Sequence, residues 1–176
     1  MTPPTAMPKS DHFYIRAVVD SAIAETEIDL GAFVDALGKS ILKIHSVSVM
    51  ILDANAPGGS IGVNANSVDF ASWQLTTQSQ TAFVGLDNKS VITEGCQVLA
   101  NDTGVAGNLS WVSDIGDRVD QTWKDGYLVA VEQIFFRADA GGGQLSTGPI
   151  ELSIILDCTV ETLTKDSAMA LALSQQ

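Results

Sequence analysis

Hydrophobic and polar residues alternate with period two along most of this chain, the spacing of strands that bury one face. The clearest run is Ile150 to Leu163, where Ile150, Leu152, Ile154, Leu156, Cys158 and Val160 point one way. Glu151, Ser153, Asp157, Thr159 and Glu161 point the other. Before it, Tyr127 to Ala138 is apolar on both faces, with Glu132 and Gln133 its only polar break. The two runs are expected to pair as a central antiparallel hairpin joined by Asp139 to Gly148, with Gly141-Gly142-Gly143 at a flexible tip.

The same alternation runs through the first half. Phe13, Ile15, Ala17 and Val19 are expected to face inward, with His12, Tyr14 and Arg16 outward. Ala22 to Leu30 continues as a strand whose wet face carries Glu25, Glu27 and Asp29, and Phe33 to Gly38 is a turn or connector. Ile41 to Leu52 changes phase midway: Leu42 and Ile44 are in step, then Val47, Val49 and Ile51. A strand can shift phase like that only by inserting a residue, which predicts a bulge or sharp bend near His45–Ser46. Ala54 to Asn66, with Pro57-Gly58-Gly59, reads as a loop. Val68 to Gln78, Ala82 to Leu86 and Val91 to Leu99 follow as strands, and Asn101 to Asn108 as another loop.

Asn108 to Lys124 fits two patterns. Trp111, Ile115, Val119 and Trp123 recur every four residues, as on a helix, whereas Leu109, Trp111 and Ser113 fit a strand. A short strand followed by a loop or helical turn accommodates both. After Thr164, an N-cap residue, Lys165 to Leu173 is a helix; Met169, Leu171 and Leu173 do not form one stripe, so contacts on more than one side are expected.

Together these elements predict an all-β fold: an antiparallel β-sandwich, a single jelly roll of about eight strands, with a short C-terminal helix. An immunoglobulin-like sandwich is the alternative, but it uses fewer residues and shorter strands. Residues 1–10, with three of the five prolines, are expected to be an extended arm, residues 11–163 the sandwich, and residues 164–176 the helix and tail.

Composition narrows the function. Nine basic and 21 acidic side chains give a net charge of −12, which argues against direct nucleic-acid binding and against docking on anionic lipid. Only 17% of residues are charged, against roughly 25% in ordinary soluble domains. With a mean hydropathy of +0.20 and no apolar run long enough for a transmembrane segment, that points to an under-charged surface of the kind found in assemblies, with a large core under a Ser/Thr/Asn/Gln-rich exterior as the alternative. No basic region followed by an apolar one opens the chain, so no secretory signal is expected.

Candidate chemistry is sparse. Cys96 and Cys158 lack metal spacing and read as small buried hydrophobes, with a bridge between them left open. His12 and His45 read as wet-face residues, His45 beside the bend, and neither sits in a nucleophile motif. Asp114, Asp117 and Asp120 do not have EF-hand spacing and read as a solvated acidic face. Asn88, Asn101 and Asn108 each begin a glycosylation acceptor pattern, which matters only if the chain crosses a membrane. No catalytic residue, metal site or cofactor is expected. Trp73, Trp111 and Trp123 are candidate inter-subunit contacts, with the core as the other place for them, and Met169, Leu171 and Leu173 join them as candidates.

With Glu27 to Asp35, Ile41 to Val47, Gly126 to Phe136 and the ending Thr164 to Gln176 in view, the chain resembles the small jelly-roll major capsid proteins of tailless icosahedral viruses, archaeal ones among them. The resemblance covers about three quarters of the sequence and is one of texture and order, with no diagnostic motif. It implies a non-enzymatic shell subunit, made in the host cytoplasm and residing in the virion, bridged to copies of itself or other capsid proteins by arm and helix. Two other roles fit the residues: a carbohydrate- or ligand-binding sandwich using the Trp residues and acidic loops, and a surface-layer or pilus-like subunit.

Overall fold

The computed structural model describes residues 11–20, 24–35, 39–55, 61–114, 122–139 and 150–176. Nine strands and one helix lie within them: β1 (Phe13–Asp20), β2 (Ala24–Asp29), β3 (Ser40–Asp53), β4 (Ser67–Thr76), β5 (Val91–Asn101), β6 (Trp111–Asp114), β7 (Thr122–Val129), β8 (Gln133–Asp139), β9 (Ile150–Thr162) and α1 (Lys165–Ser174). They form two antiparallel sheets, β1-β9-β3-β7 (sheet A) and β2-β8-β4-β5-β6 (sheet B). The pairs β1·β9, β2·β8, β3·β7 and β4·β5 are nested in sequence, first strand with last and so inward. That is one long antiparallel ribbon rolled into two layers, the jelly roll, with β6 added at the sheet B edge.

The expected central hairpin does not form. Tyr127 to Ala138 is not one strand: β7 ends at Val129 in sheet A and β8 starts at Gln133 in sheet B. Glu132, at the polar break, lies in the crossover, where its carbonyl accepts from Leu30 N–H at 2.7 Å. The stretch looks apolar on both faces because its halves bury opposite faces of the chain into one core. β9 pairs instead with β1 on one side and β3 on the other.

β9 does carry the inner row that its alternation announces. Ile150, Leu152, Ile154, Leu156 and Cys158 are all buried in the main core, where they meet Trp73 and Leu75 of β4 and Ile134 and Phe136 of β8. Full burial of one large aliphatic side chain stabilises by about 1.5–3 kcal/mol. The phase change in β3 is a bulge at His45: the register with both β7 and β9 shifts between Ile44 and Ser46. Leu42, Ile44 and Val47 can therefore all be buried although the spacing breaks between them. β7 is irregular opposite the same point, and Gly126 there has φ +78°, with the Lys43 side chain lying where its Cβ would be.

Ala82 to Leu86 is not a strand. It belongs to a loop, 77–90, laid over the outer face of sheet B, and the Val84 backbone bonds to the Gln74 side chain, not to a ladder. Of the helix-spaced set, Trp111 is on β6 and Trp123 on β7, whereas Ile115 and Val119 lie outside the described residues. Residues 1–10, Asp117, Asp120 and Gly141-Gly142-Gly143 lie outside them too.

Both cysteines are free. Cys158 is in the core, and burial pushes its thiol up to about 12. Cys96 pairs with Ser72 on the outward side of sheet B and is only partly buried, which corrects the reading of both as core residues and separates it from Cys158. Native protein should therefore consume one equivalent of a thiol reagent at pH 8, at Cys96, and a second only on unfolding. Two fast equivalents from folded protein would contradict the placement of Cys158.

Candidate interaction surfaces

The outer face of sheet A is a mixed surface with large apolar side chains standing out of it. Tyr14 and Val18 of β1, Ile155 of β9 and Met50 of β3 are exposed, Met50 by 61%. The Arg16 guanidinium lies 5.7 Å from the Tyr14 ring centre. At one end, the bulge in β3 sets His45 beside His12, their rings stacked at 4.7 Å between centroids. His12 Nδ1 lies 2.7 Å from Asp157 Oδ1, and His45 Nε2 lies 2.9 Å from Thr159 Oγ1. Both histidines are thus outward-facing as expected, but they are neighbours of each other, which no sequence spacing suggests.

The C-terminal helix is docked onto its own chain. Thr164 caps it, its hydroxyl oxygen accepting from Ser167 N–H. Ala168 and Ala172 pack on Ile41 and Ala130, with Leu128, Leu163 and Leu171 around them. Small residues at 168 and 172 let the helix approach closely, and the contact explains why Ile41, on the outer side of β3, is buried. Gln175 then acts as a latch. Its side-chain Nε2–H donates to Leu128 O at 2.7 Å, and its Oε1 accepts from Ala130 N–H at 2.9 Å. The carboxamide thereby supplies a donor and an acceptor to the main chain where β7 ends. Its backbone carbonyl accepts from Thr77 Oγ1–H at 2.6 Å, on the sheet B side. One residue ties the helix to both layers.

The outer face of sheet B is divided. Its β2–β8 half is charged and polar: Arg137 bonds Glu25 at 3.2 Å and the Gln80 carbonyl, while Gln133 bonds Glu27. The end of its β4–β6 half that carries Val68, Phe70 and Trp111 is apolar, whereas Gln74 and Glu94 occupy the other end. Val68, Phe70 and Trp111 are exposed, Trp111 by 47%, beside Val98 and Ala100. Loop 77–90 stands at the border. Gln74 donates to Val84 O at 2.8 Å and accepts from Val84 N–H at 3.2 Å, a two-point clamp, and also donates to Glu94 Oε2 at 2.8 Å. Between loop and sheet is a half-open cavity of about 460 Å³ lined by Phe70, Phe83, Leu86, Glu94, Cys96 and Asp139, among others.

Against these surfaces the six candidate contacts separate. Trp73 is 5% exposed and belongs to the core. A Cβ on Gly95 would lie 2.7 Å from its indole, so the two are fitted to each other inside the sandwich. Trp123 is half-buried against the core and against Tyr127, at 5.4 Å between rings. Leu171 is used within the chain, under the helix. Trp111, Met169 and Leu173 are exposed, Leu173 by 63%. Sequence reasoning passes over Val68 and Phe70 because it does not fix the phase of β4. Trp73 and Leu75 set that phase: two and four residues before Trp73, Ala71 and Asp69 are buried, so Val68 and Phe70 must point out. Among the acceptor patterns, Asn101 is buried, donating to Val63 O at 2.9 Å and Val105 O at 2.8 Å, so its amide is spoken for.

No protein-family model and no curated protein matches the chain. A solved structure named Desmodium yellow mottle tymovirus is similar to it at 11% identity, over 93% of this chain and 97% of that one, with a TM-score of 0.29. That likeness is too slight to bear on function. No helix among the described residues is long and apolar enough to cross a membrane.

The latch can be tested directly. Gln175→Leu keeps bulk but strands Ala130 N–H and Leu128 C=O. Leaving one buried and one part-buried group unsatisfied costs about 2–4 kcal/mol. The urea midpoint should fall accordingly and the helix amides should lose exchange protection; an unchanged midpoint would show that Gln175 holds nothing.

Proposed function

We propose that this chain is a non-enzymatic structural shell subunit of the viral capsid kind. It associates with copies of itself through its sheet faces, aided by the arm at residues 1–10 and the outward side of α1. In this reading it is made in the host cytoplasm, resides in the virion, and does not itself bind nucleic acid. The observation that carries the reading is the pairing of a jelly-roll strand order with large apolar side chains that stand exposed on both outer faces. An acidic chain with solitary habits would be expected to cover those positions with Glu, Lys or Asp.

The arithmetic is consistent with it. The accessible surface is 9565 Å². Four to six contacts of about 800 Å² per partner would cover roughly a third to a half of it, as a lattice requires. Met169 and Leu173 remain candidate contacts on the helix, and Trp111 on sheet B; Trp73, Trp123 and Leu171 are already used internally. The finer resemblance, to tailless icosahedral and archaeal viruses, rests on sequence texture alone.

A second reading has a specific observation behind it. The cavity beside loop 77–90 joins aromatic walls to two carboxylates, Glu94 and Asp139, which suits a ligand-binding sandwich. Negative-stain microscopy of purified protein separates the two. Closed shells or capsomer-sized oligomers are expected, and removal of residues 1–10 should leave a folded chain that assembles less completely. A solitary particle that is retarded on a glycan column would favour the second reading, and open fibres a pilus-like subunit.

A further inference from the structure

We infer that the β4–β6 half of sheet B is a self-complementary contact in which Trp111 of one copy fills the loop-bordered cavity of a second copy, and the reverse. The proposal rests on the shell-subunit reading and names one of its contacts. Two features on one face suggest it. Trp111 is a large side chain standing out at 47% exposure on β6, over Ala100. Two strands away, Phe70, Phe83, Leu86 and Cys96 wall a half-open cavity of about 460 Å³, ample for an indole.

A two-fold axis lying in the contact plane, midway between knob and cavity and perpendicular to the line joining them, exchanges the two. One rotation then satisfies both contacts, which is the definition of an isologous interface. Buried tryptophans in pockets are the side chains that most often carry binding energy at such interfaces.

Charge selects a second copy as the occupant. The chain carries −12, so two copies repel wherever acidic faces meet. The rows Val68–Ala100–Trp111 and Phe70–Val98 carry no charge, and the two carboxylates of the contact, Glu94 and Asp139, line the cavity, where the uncharged indole of a like-charged copy enters without charge repulsion. The β2–β8 half of the same face, by contrast, holds Glu25, Glu27 and Arg137. The available area is also of the right order. Three strands about 4.8 Å apart and up to about 33 Å long give roughly 400 Å² of flat area. Side-chain relief and the ridge of loop 77–90 bring it towards the roughly 800 Å² per partner of a stable contact.

The test uses two charge variants, each on one half of the lock. Trp111→Glu puts a carboxylate on the knob, which Glu94 and Asp139 in the cavity would repel. Leu86→Lys puts a cation at the cavity wall. Both positions are exposed, so circular dichroism and unfolding midpoints should match wild type. In sedimentation equilibrium, wild type is expected as dimers or larger species, and each variant should associate about thirtyfold more weakly or worse. An equimolar mixture of the two variants should regain association. In the mixed pair the introduced carboxylate meets the introduced ammonium at one contact, and at the other an intact Trp111 meets an intact cavity.

Variants that associate like wild type, or a mixture that stays apart, would overturn this contact and leave the shell reading standing. A wild-type chain that never associates would overturn both.

Discussion

Everything in the sandwich is placed by β9. It lies between β1 and β3 in sheet A, paired along much of its length on both sides, and its inner side chains reach across to β4 and β8. A strand flanked on both edges has no free main-chain groups to satisfy elsewhere, so its register is decided by which face it buries. The row from Ile150 to Cys158 makes that decision strongly, because a one-residue slip would put Glu151, Ser153 and Asp157 into the core. The remaining pairs then nest around it, and the bulge at His45 absorbs the one place where β3 cannot keep step.

How much of this was legible depended on whether local pattern or long-range pairing held the information. Alternation in β1, β2 and β9 announced both strand and phase, and the broken phase of Ile41 to Leu52 announced a bulge or bend near His45–Ser46, where the register does shift. The helix followed from Thr164 and the formers after it. What local pattern does not encode is partner choice. Tyr127 to Ala138 and Ile150 to Leu163 are adjacent, long and apolar, which favours a hairpin locally. The break at Glu132 decides against it, because the three residues between β7 and β8 are enough to carry the chain from one layer to the other. Loop 77–90 was unreadable for a similar reason: its backbone is held by a glutamine side chain ten residues earlier, a contact with no periodic trace.

The surface was legible only in aggregate. A low charged fraction implied exposed apolar area but not where it lies. Trp73 and Trp111 look alike in sequence, yet one is fitted against Gly95 inside the sandwich and the other stands on the edge strand. The helix shows the same division within ten residues. Ala168 and Ala172 face the chain's own Ile41, while Met169 and Leu173 face away. Gln175 fastens that arrangement, so the C-terminal segment is part of the folded unit as well as a candidate bridge. The boundary expected at residue 164 separates secondary structure without separating packing.

In the proposed function, an acidic sandwich meets its own copies through the apolar patches of its outer faces. Salt distinguishes this from association by charge pairing, since screening weakens repulsion between like-charged blocks and leaves apolar contact intact or strengthened. The direct measurement is static light scattering of the purified chain at fixed concentration from about 0.02 to 1 M NaCl, a range over which the Debye length shrinks from roughly 20 Å to about 3 Å. The apparent mass should rise steadily with salt. A mass that falls with salt, or stays at that of one chain throughout, would contradict the account.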